Sequence, residues 1–306
     1  MKTLKLGKTN LEVPALALGC MRLSGADRKQ AAEFIDTALG LGLNFFDHAD
    51  IYGGGECETV FAELIKEAGV SRDKLLIQSK CGIVPGKMFD FSKEHIVKSV
   101  DGILKRLDTE YLDVLLLHRP DALMEPEEVA EAFDALEAAG KVRHFGVSNQ
   151  DPYTMELLQK YVRQPIAANQ LQLSITNASM ISQPMNTNIA DGKDPVLDNG
   201  VLNYCRLNDI TIQTWSPFQY GMFEGTFLGN EKFPKLNAKL DEIAARYGVS
   251  NTTIALAWIL RHPAKMQAVT GTINPKRIVD CAKAMDISLT REEWYEIYLA
   301  AGYRLP

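Results

Sequence analysis

Four side chains in this sequence have types and positions that could do chemistry together. Asp47 and Tyr52 share the run Phe46-Asp47-His48-Ala49-Asp50-Ile51-Tyr52, Lys80 follows Leu75-Leu76-Ile77-Gln78-Ser79, and His118 follows Leu115-Leu116-Leu117. A tyrosine whose pKa lies near 10 is a weak acid at neutral pH, and a neighbouring ammonium lowers that value by favouring the phenolate. A lysine held beside it needs an anion of its own, which Asp47 can supply. With His118 hydrogen-bonding across the pocket, the set is a general acid suited to protonating an oxygen as it becomes an alkoxide, and that chemistry is carbonyl reduction. Taken singly, each residue has a plainer explanation. Lys80 reads equally as a surface residue, His118 as a structural histidine, Tyr52 as a packed aromatic before the Gly53-Gly54-Gly55 turn, and Asp47 as a helix cap or metal ligand. Their joint placement at the ends of adjacent apolar runs favours the chemical reading.

Eight short apolar runs, at residues 15–18, 44–46, 75–78, 114–117, 142–147, 166–168, 211–214 and 268–269, are spaced as strands. Helix-period segments lie between them. Over residues 92–107, Ile96, Val100, Ile103, Leu104 and Leu107 share one face behind a Ser92 start, and over 126–139 Val129, Phe133 and Leu136 do so before Gly140. Repeated strand and helix without a linker predicts one parallel sheet with helical crossovers across residues 1–306. The first strand is followed by Gly19-Cys20-Met21-Arg22-Leu23-Ser24-Gly25, which lacks the G-x-G-x-x-G of a doubly wound dinucleotide fold. The expectation is therefore a single-domain (β/α)8 TIM barrel. Residues 1–13 should form an N-terminal β-hairpin plug, residues 174–199 one long loop after strand six, and the end of the chain a helical extension. In such a barrel the polar strand ends, from Asp47 to Ser148-Asn149, Asn169-Gln170, Trp215-Ser216 and Thr270-Gly271-Thr272, gather at one mouth. The substrate pocket should be shaped by the loops after strands three, four, six and seven, including Met88, Phe89, Phe91, Met124 and the 174–199 segment.

Composition bounds the partners. The 306 residues are 46% hydrophobic and 24% charged, with a net charge of −6 and no long basic run, so neither disorder nor nucleic acid is expected. No apolar stretch approaches the length of a membrane span. Cys20, Cys57, Cys81, Cys205 and Cys281 are odd in number and scattered, which suits a reducing, cytoplasmic compartment. Leu16-Ala17-Leu18-Gly19-Cys20 imitates a lipoprotein signal, but its apolar run is short and Glu12 and Pro14 precede it. A metal-dependent hydrolase using Asp47, His48, Asp50 and His118 is a rival, weakened by the absence of a second histidine at ligand spacing, and no metal site is expected. A phosphate loop at residues 82–87 is one residue short and ends at Met88 rather than Ser or Thr.

The motifs resemble the aldo-keto reductase family over nearly the whole chain. They include Phe46-Asp47-His48-Ala49-Asp50-Ile51-Tyr52-Gly53, Ser79-Lys80-Cys81-Gly82, Leu117-His118-Arg119-Pro120-Asp121, Gly146-Val147-Ser148-Asn149, Trp215-Ser216-Pro217 and Gly271-Thr272-Ile273-Asn274-Pro275-Lys276-Arg277. The DHADIYGG form of the tyrosine motif is most similar to that of bacterial oxidoreductases in the family. The resemblance implies reduction of a small-molecule aldehyde or ketone with NADPH, NADH being an alternative, by a tetrad of Asp47, Tyr52, Lys80 and His118. It implies cofactor contacts from Met21, Arg22, Asp47, Ser148, Asn149, Gln170, Trp215, Ser216, Pro217 and Phe218. Gly271, Thr272, Arg277 and Asp280 would serve the adenosine end, with Arg277 on the 2′-phosphate. Gly271 departs from the family by lacking a basic side chain, for which Lys276 is one substitute, and Cys281 stands where Asn is common. The family also implies a monomer, and it includes regulatory partners of other proteins, so a nucleotide-sensing subunit is the alternative to an enzyme.

Overall fold

The computed structural model describes residues 2–187 and 199–305. An antiparallel hairpin comes first, β1 (Thr3–Lys5) paired with β2 (Glu12–Pro14) around the turn at residues 7–10. Eight parallel strands then close a barrel. They are β3 (Leu16–Gly19), β4 (Phe45–Asp47), β5 (Leu76–Cys81), β8 (Leu112–Leu117), β9 (Val142–Ser148), β10 (Ile166–Gln172), β11 (Thr211–Trp215) and β12 (Gln267–Thr270). Between β5 and β8, the short strands β6 (Ile83–Val84) and β7 (Met88–Phe89) form a second hairpin over the residues weighed as a phosphate loop. All eight expected runs are strands, and several extend past their apolar stretch: β5 runs through Ser79 and Lys80, and β10 through Asn169 and Gln170. The ladder hydrogen bonds use only backbone groups, so strand pairing continues into polar side chains.

The crossovers carry α1 (Arg28–Gly40), α2 (Glu56–Glu67), α3 (Lys93–Arg106), α4 (Pro126–Ala138), α5 (Pro152–Tyr161), α6 (Ser179–Met185) and α7 (Val201–Leu207), then α8 (Pro234–Tyr247), α9 (Asn251–Leu260) and α10 (Pro275–Lys283), with α11 (Arg291–Ala300) last. The start of α3 is the expected one, the Ser92 hydroxyl accepting from the His95 amide, and its face of Ile96, Val100, Ile103 and Leu104 is buried. Helix α9 is apolar all round because it is covered on both sides, packing on β12, α8 and α10. On α11, Trp294 stacks on Trp258 of α9 at 4.7 Å, and each indole N–H donates to the other residue's carbonyl.

The hairpin lies at the strands' N-terminal ends. Leu6 and Val13 are fully buried, the Gly7 amide donates to Thr211 Oγ1 at 2.7 Å, and Gln267 donates to the Pro14 carbonyl at 2.8 Å. The expected single loop at 174–199 is corrected in part. Residues 179–185 are α6, which packs beneath the C-terminus through Ser182 and Tyr298, while residues 188–198 lie outside the described residues.

Candidate active site

Strand alternation decides which residues enter the barrel. On β5, Gln78 and Lys80 point inward, where both contact Asp47 of β4. Ser79 between them points outward and donates to Glu58 of α2 at 2.7 Å. The same alternation separates Asp47 from its neighbours: Phe46 and His48 lie against Phe61 of α2, ring centroids 4.8 and 4.6 Å away. Asp47 and His48 therefore cannot share a metal, and among the described residues no three His, Cys, Asp or Glu side chains converge as ligands would. After β4 the chain turns through Gly53-Gly54-Gly55, all at positive φ. A Cβ on Gly53 would lie 2.5 Å from Ser24 Oγ, and one on Gly55 2.7 Å from Arg106 Cδ. This turn carries Tyr52 to the barrel mouth.

The Lys80 ammonium is fully buried and its three donors are all engaged, with Asp47 Oδ2 at 2.8 Å, the His48 carbonyl at 2.8 Å and Tyr52 Oη at 3.2 Å. Burial works against its charge, but Asp47 and then Tyr52 hold its pKa above the ordinary lysine value. Since Lys80 donates to the phenol oxygen, the tyrosine's own proton is left to point elsewhere. Burial raises the Tyr52 pKa and outweighs Lys80, so the expectation of a lowered tyrosine pKa is corrected: the phenol is held protonated. The rings of Tyr52 and His118 lie 6.0 Å apart, nearly perpendicular. His118 is pushed down to about 2 by burial, then by Lys80 and Arg119, so its imidazole is neutral, and its buried Nδ1 has no hydrogen-bond partner.

Behind these residues runs a polar ladder, in which strand-end reasoning found Asp47 and Gln170 but missed Gln78, Gln213 and Gln267. Gln78 and Gln170 donate to Asp47 Oδ1 at 2.6 and 3.0 Å. Gln78 and Gln213 exchange hydrogen bonds, Gln213 donates to Gln267, and Gln267 reaches Pro14 in the hairpin. The sequence signal was a glutamine inside otherwise apolar strands, as in Leu76-Ile77-Gln78 and Thr211-Ile212-Gln213. A second missed group is outside the barrel. Glu58 is fully buried and accepts from Arg106 Nε at 2.7 Å, and Asp50 nearby is pushed up to about 7 by burial and then by Glu58.

A cavity of about 990 Å³ opens above the tetrad. Asp47, Tyr52 and His118 face it, and Lys80 sits just behind. Ser148, Asn149, Gln170 and Trp215 form one hydrogen-bonded wall, in which Trp215 Nε1 donates to Asn149 Oδ1 at 3.1 Å, Asn149 to Ser148 Oγ at 2.7 Å, and Ser148 to the Gln170 carbonyl at 2.9 Å. Asn149 and Ser216 both hold positive φ, 58° and 54°, a conformation that non-glycine residues adopt at a cost and that gathers at binding sites. Met21, Arg22, Ser216, Pro217, Phe218, Gly271, Thr272 and Arg277 also line the cavity. Asp280 does not, and its carboxylate takes Lys283 at 3.2 Å. Lys276 is exposed and likewise does not line it. Arg22 Nη1 donates to the Gly271 carbonyl at 2.6 Å, and a Cβ on Gly271 would lie 2.6 Å from that nitrogen. The position that lacks a basic side chain thus has a guanidinium laid over it from the loop after β3.

The apolar rim matches the expected one in part. Phe89 lines the cavity, but Met88 does not, and Phe91 is buried under Gly82, where a Cβ would lie 2.3 Å from its ring. Met124 is only packed against the core. The loop after β11, the seventh barrel strand, contributes as expected, through Gln219, Met222, Phe223, Thr226 and Leu228. Described residues of the 174–199 stretch buttress it, Ser174 donating to the Gln219 carbonyl at 2.7 Å.

Comparison with known proteins agrees with this architecture. The model of the Aldo/keto reductase family matches residues 15–300. A 6-dehydroglucose reductase from Agrobacterium fabrum is 34% identical over 304 residues, 95% of each chain, and the oxidoreductase YdhF of Escherichia coli is 34% identical over 91% of this chain and 90% of its own. A crystal structure of a thermostable aldo-keto reductase, in complex with the inhibitor epalrestat, superposes with a TM-score of 0.79 at 29% identity, covering 98% of this chain and 100% of that one.

Proposed function

The chain belongs to the aldo/keto reductase family, and from that premise we propose that it is an NADPH-dependent reductase of aldehydes or ketones in which Tyr52 is the proton donor. The observation that carries the reading is the Lys80–Tyr52 hydrogen bond, because a phenol that accepts from an ammonium keeps its proton for an oxygen in the cavity. Protonation of a nascent alkoxide leaves a phenolate, which Lys80 stabilises without leaving Asp47. Neutral His118 holds the carbonyl oxygen in line by a hydrogen bond.

The cavity residues fit a phosphorylated nicotinamide dinucleotide. The Arg277 guanidinium has no hydrogen bond or ion pair with the described residues, as a group reserved for a 2′-phosphate would. Arg22, held over Gly271, adds a second cation at that end, and favours NADPH over NADH. Asn149, Ser148 and Gln170 would orient the carboxamide and Trp215 would stack on its ring. When bound, NADPH supplies the hydride.

Purified protein should quench its tryptophan fluorescence on adding NADPH and should oxidise NADPH, and NADH more weakly, when given a reactive aldehyde or dicarbonyl. Tyr52→Phe should slow that oxidation by about 10²- to 10⁴-fold with an unchanged thermal midpoint. A variant as fast as the parent would refute the proton-donor assignment.

A further inference from the structure

One cation in the cavity has no role in the reading above. Arg119 lies at the end of β8, immediately after His118, partly buried in the cavity wall with its guanidinium 5.5 Å over the Trp215 ring. It forms no hydrogen bond or ion pair with the described residues. The nearest acid in sequence, Asp121, is committed elsewhere, accepting from the Phe91 and Leu123 amides, both at 2.9 Å. Among the described residues the cavity's lining contains a single carboxylate, Asp47, which holds Lys80. Nor is Arg119 placed to share the cofactor phosphates, because Arg22 and Arg277 stand by β12, which faces β8 from the opposite side of the ring, four strands away in either direction. Burial lowers its pKa and Tyr52 raises it again, which sets the guanidinium within electrostatic reach of the proton donor. A partly buried, unpaired charge beside a reacting centre is costly unless a ligand neutralises it.

We propose that Arg119 recognises a carboxylate on the substrate, so that the substrates of this site are oxo acids and aldehyde acids, carbonyl compounds with a carboxylate a few bonds from the reacting carbon. The proposal rests on the reductase reading. The planar guanidinium fork matches a carboxylate edge-on, and the Trp215 face holds it in position without occupying its donors. A single cation suits a carboxylate monoanion better than a phosphate dianion. The bond would form before the chemical step, turning the carbonyl towards Tyr52 and His118.

The test uses 3- and 4-carboxybenzaldehyde, each beside its own methyl ester, with NADPH in excess. The expected result is a kcat/KM for at least one acid about tenfold or more above that for its ester. Arg119→Gln should shrink this acid-to-ester ratio by about 10- to 100-fold, and Arg119→Lys should restore part of it. Equal rates for acids and esters, or a loss in Arg119→Gln that is the same for both members of a pair, would overturn the proposal. So would a fall in NADPH affinity matching the loss, which would make Arg119 a cofactor residue. If no member of the set oxidises NADPH, the reductase reading itself fails and takes this one with it, whereas good turnover of esters alone removes only the carboxylate.

Discussion

Two buried aspartates in this barrel hold cations at nearly the same distance, and only one of them faces the cavity. Asp113, on β8 near the hairpin end, receives Arg72 at 2.7 Å and the Ile77 amide at 2.9 Å on one oxygen, and Arg143 at 3.2 Å on the other. Both guanidiniums lie over the Tyr111 ring, 3.9 and 3.7 Å from its centre. Each oxygen has a donor, two cations serve one anion, and Asp113 does not line the cavity. Asp47 receives Lys80 at 2.8 Å in similar fashion, but there the donor chain continues to Tyr52, whose proton has no acceptor among the described residues. The difference lies in what is left unsatisfied. A closed ion cluster stabilises a fold, and one that ends on an unfilled donor beside an open cavity can act on a guest.

The contrast makes its largest demand on Lys80. Lys80→Met should lower kcat by about 10²- to 10⁴-fold in single-turnover measurements, since the phenolate left by Tyr52 loses its counter-charge. Asp113→Asn should leave kcat within about twofold of the parent, and the reverse pattern would dissolve the comparison. On stability the ranking should invert for the lower cluster. Asp113→Asn should cost about 2–4 kcal/mol by urea unfolding, because two guanidiniums and the Ile77 amide lose their shared anion. A cost below about 0.5 kcal/mol would show that cluster to be idle. For each histidine and each pH unit, the smallest effect is pH dependence. His48 and His118 are pushed down to about 3 and about 2 by burial, so unfolding takes up protons below the unfolded histidine value near 6.5. Stability present above about pH 6.5 should be lost as pH falls towards those folded values, each histidine contributing up to about 1.4 kcal/mol per pH unit. His48→Leu should flatten the slope by about one proton, and an unaltered slope would mean that His48 is already charged in the fold.

Much of the architecture is legible in the chain because apolar runs and helical faces report burial directly. The positions of the eight barrel strands, the start of α3 and the hairpin at residues 3–14 all follow from such local patterns. The gathering of Asp47, Tyr52 and Lys80 is legible too, since closing a parallel ring brings every strand's C-terminal end to one mouth. Other parts required distance information. The guanidinium over Gly271 comes from Arg22, 249 residues earlier, and local sequence offers only Lys276, which is exposed and does not line the cavity. Helix α6 was hidden in a stretch rich in Asn, Pro and Ser, where its stability comes from packing under the C-terminal segment. The loops after strands three and seven were legible as parts of the rim, but which of their residues face the cavity was not: Phe89 lines it and Met88, beside it, does not.

By itself, the sequence determined the order of elements and the chemical types at each strand end, because these depend on period and on nearest neighbours along the chain. The tertiary structure alone decided the charge states and the vacancies. Burial, summed over neighbours from distant strands, keeps Tyr52 protonated against Lys80 and His118 neutral, and the commitments of Asp47 and Asp121 to other donors leave Arg119 without an anion among the described residues. Such properties belong to no segment, since desolvation and hydrogen-bond competition act through space.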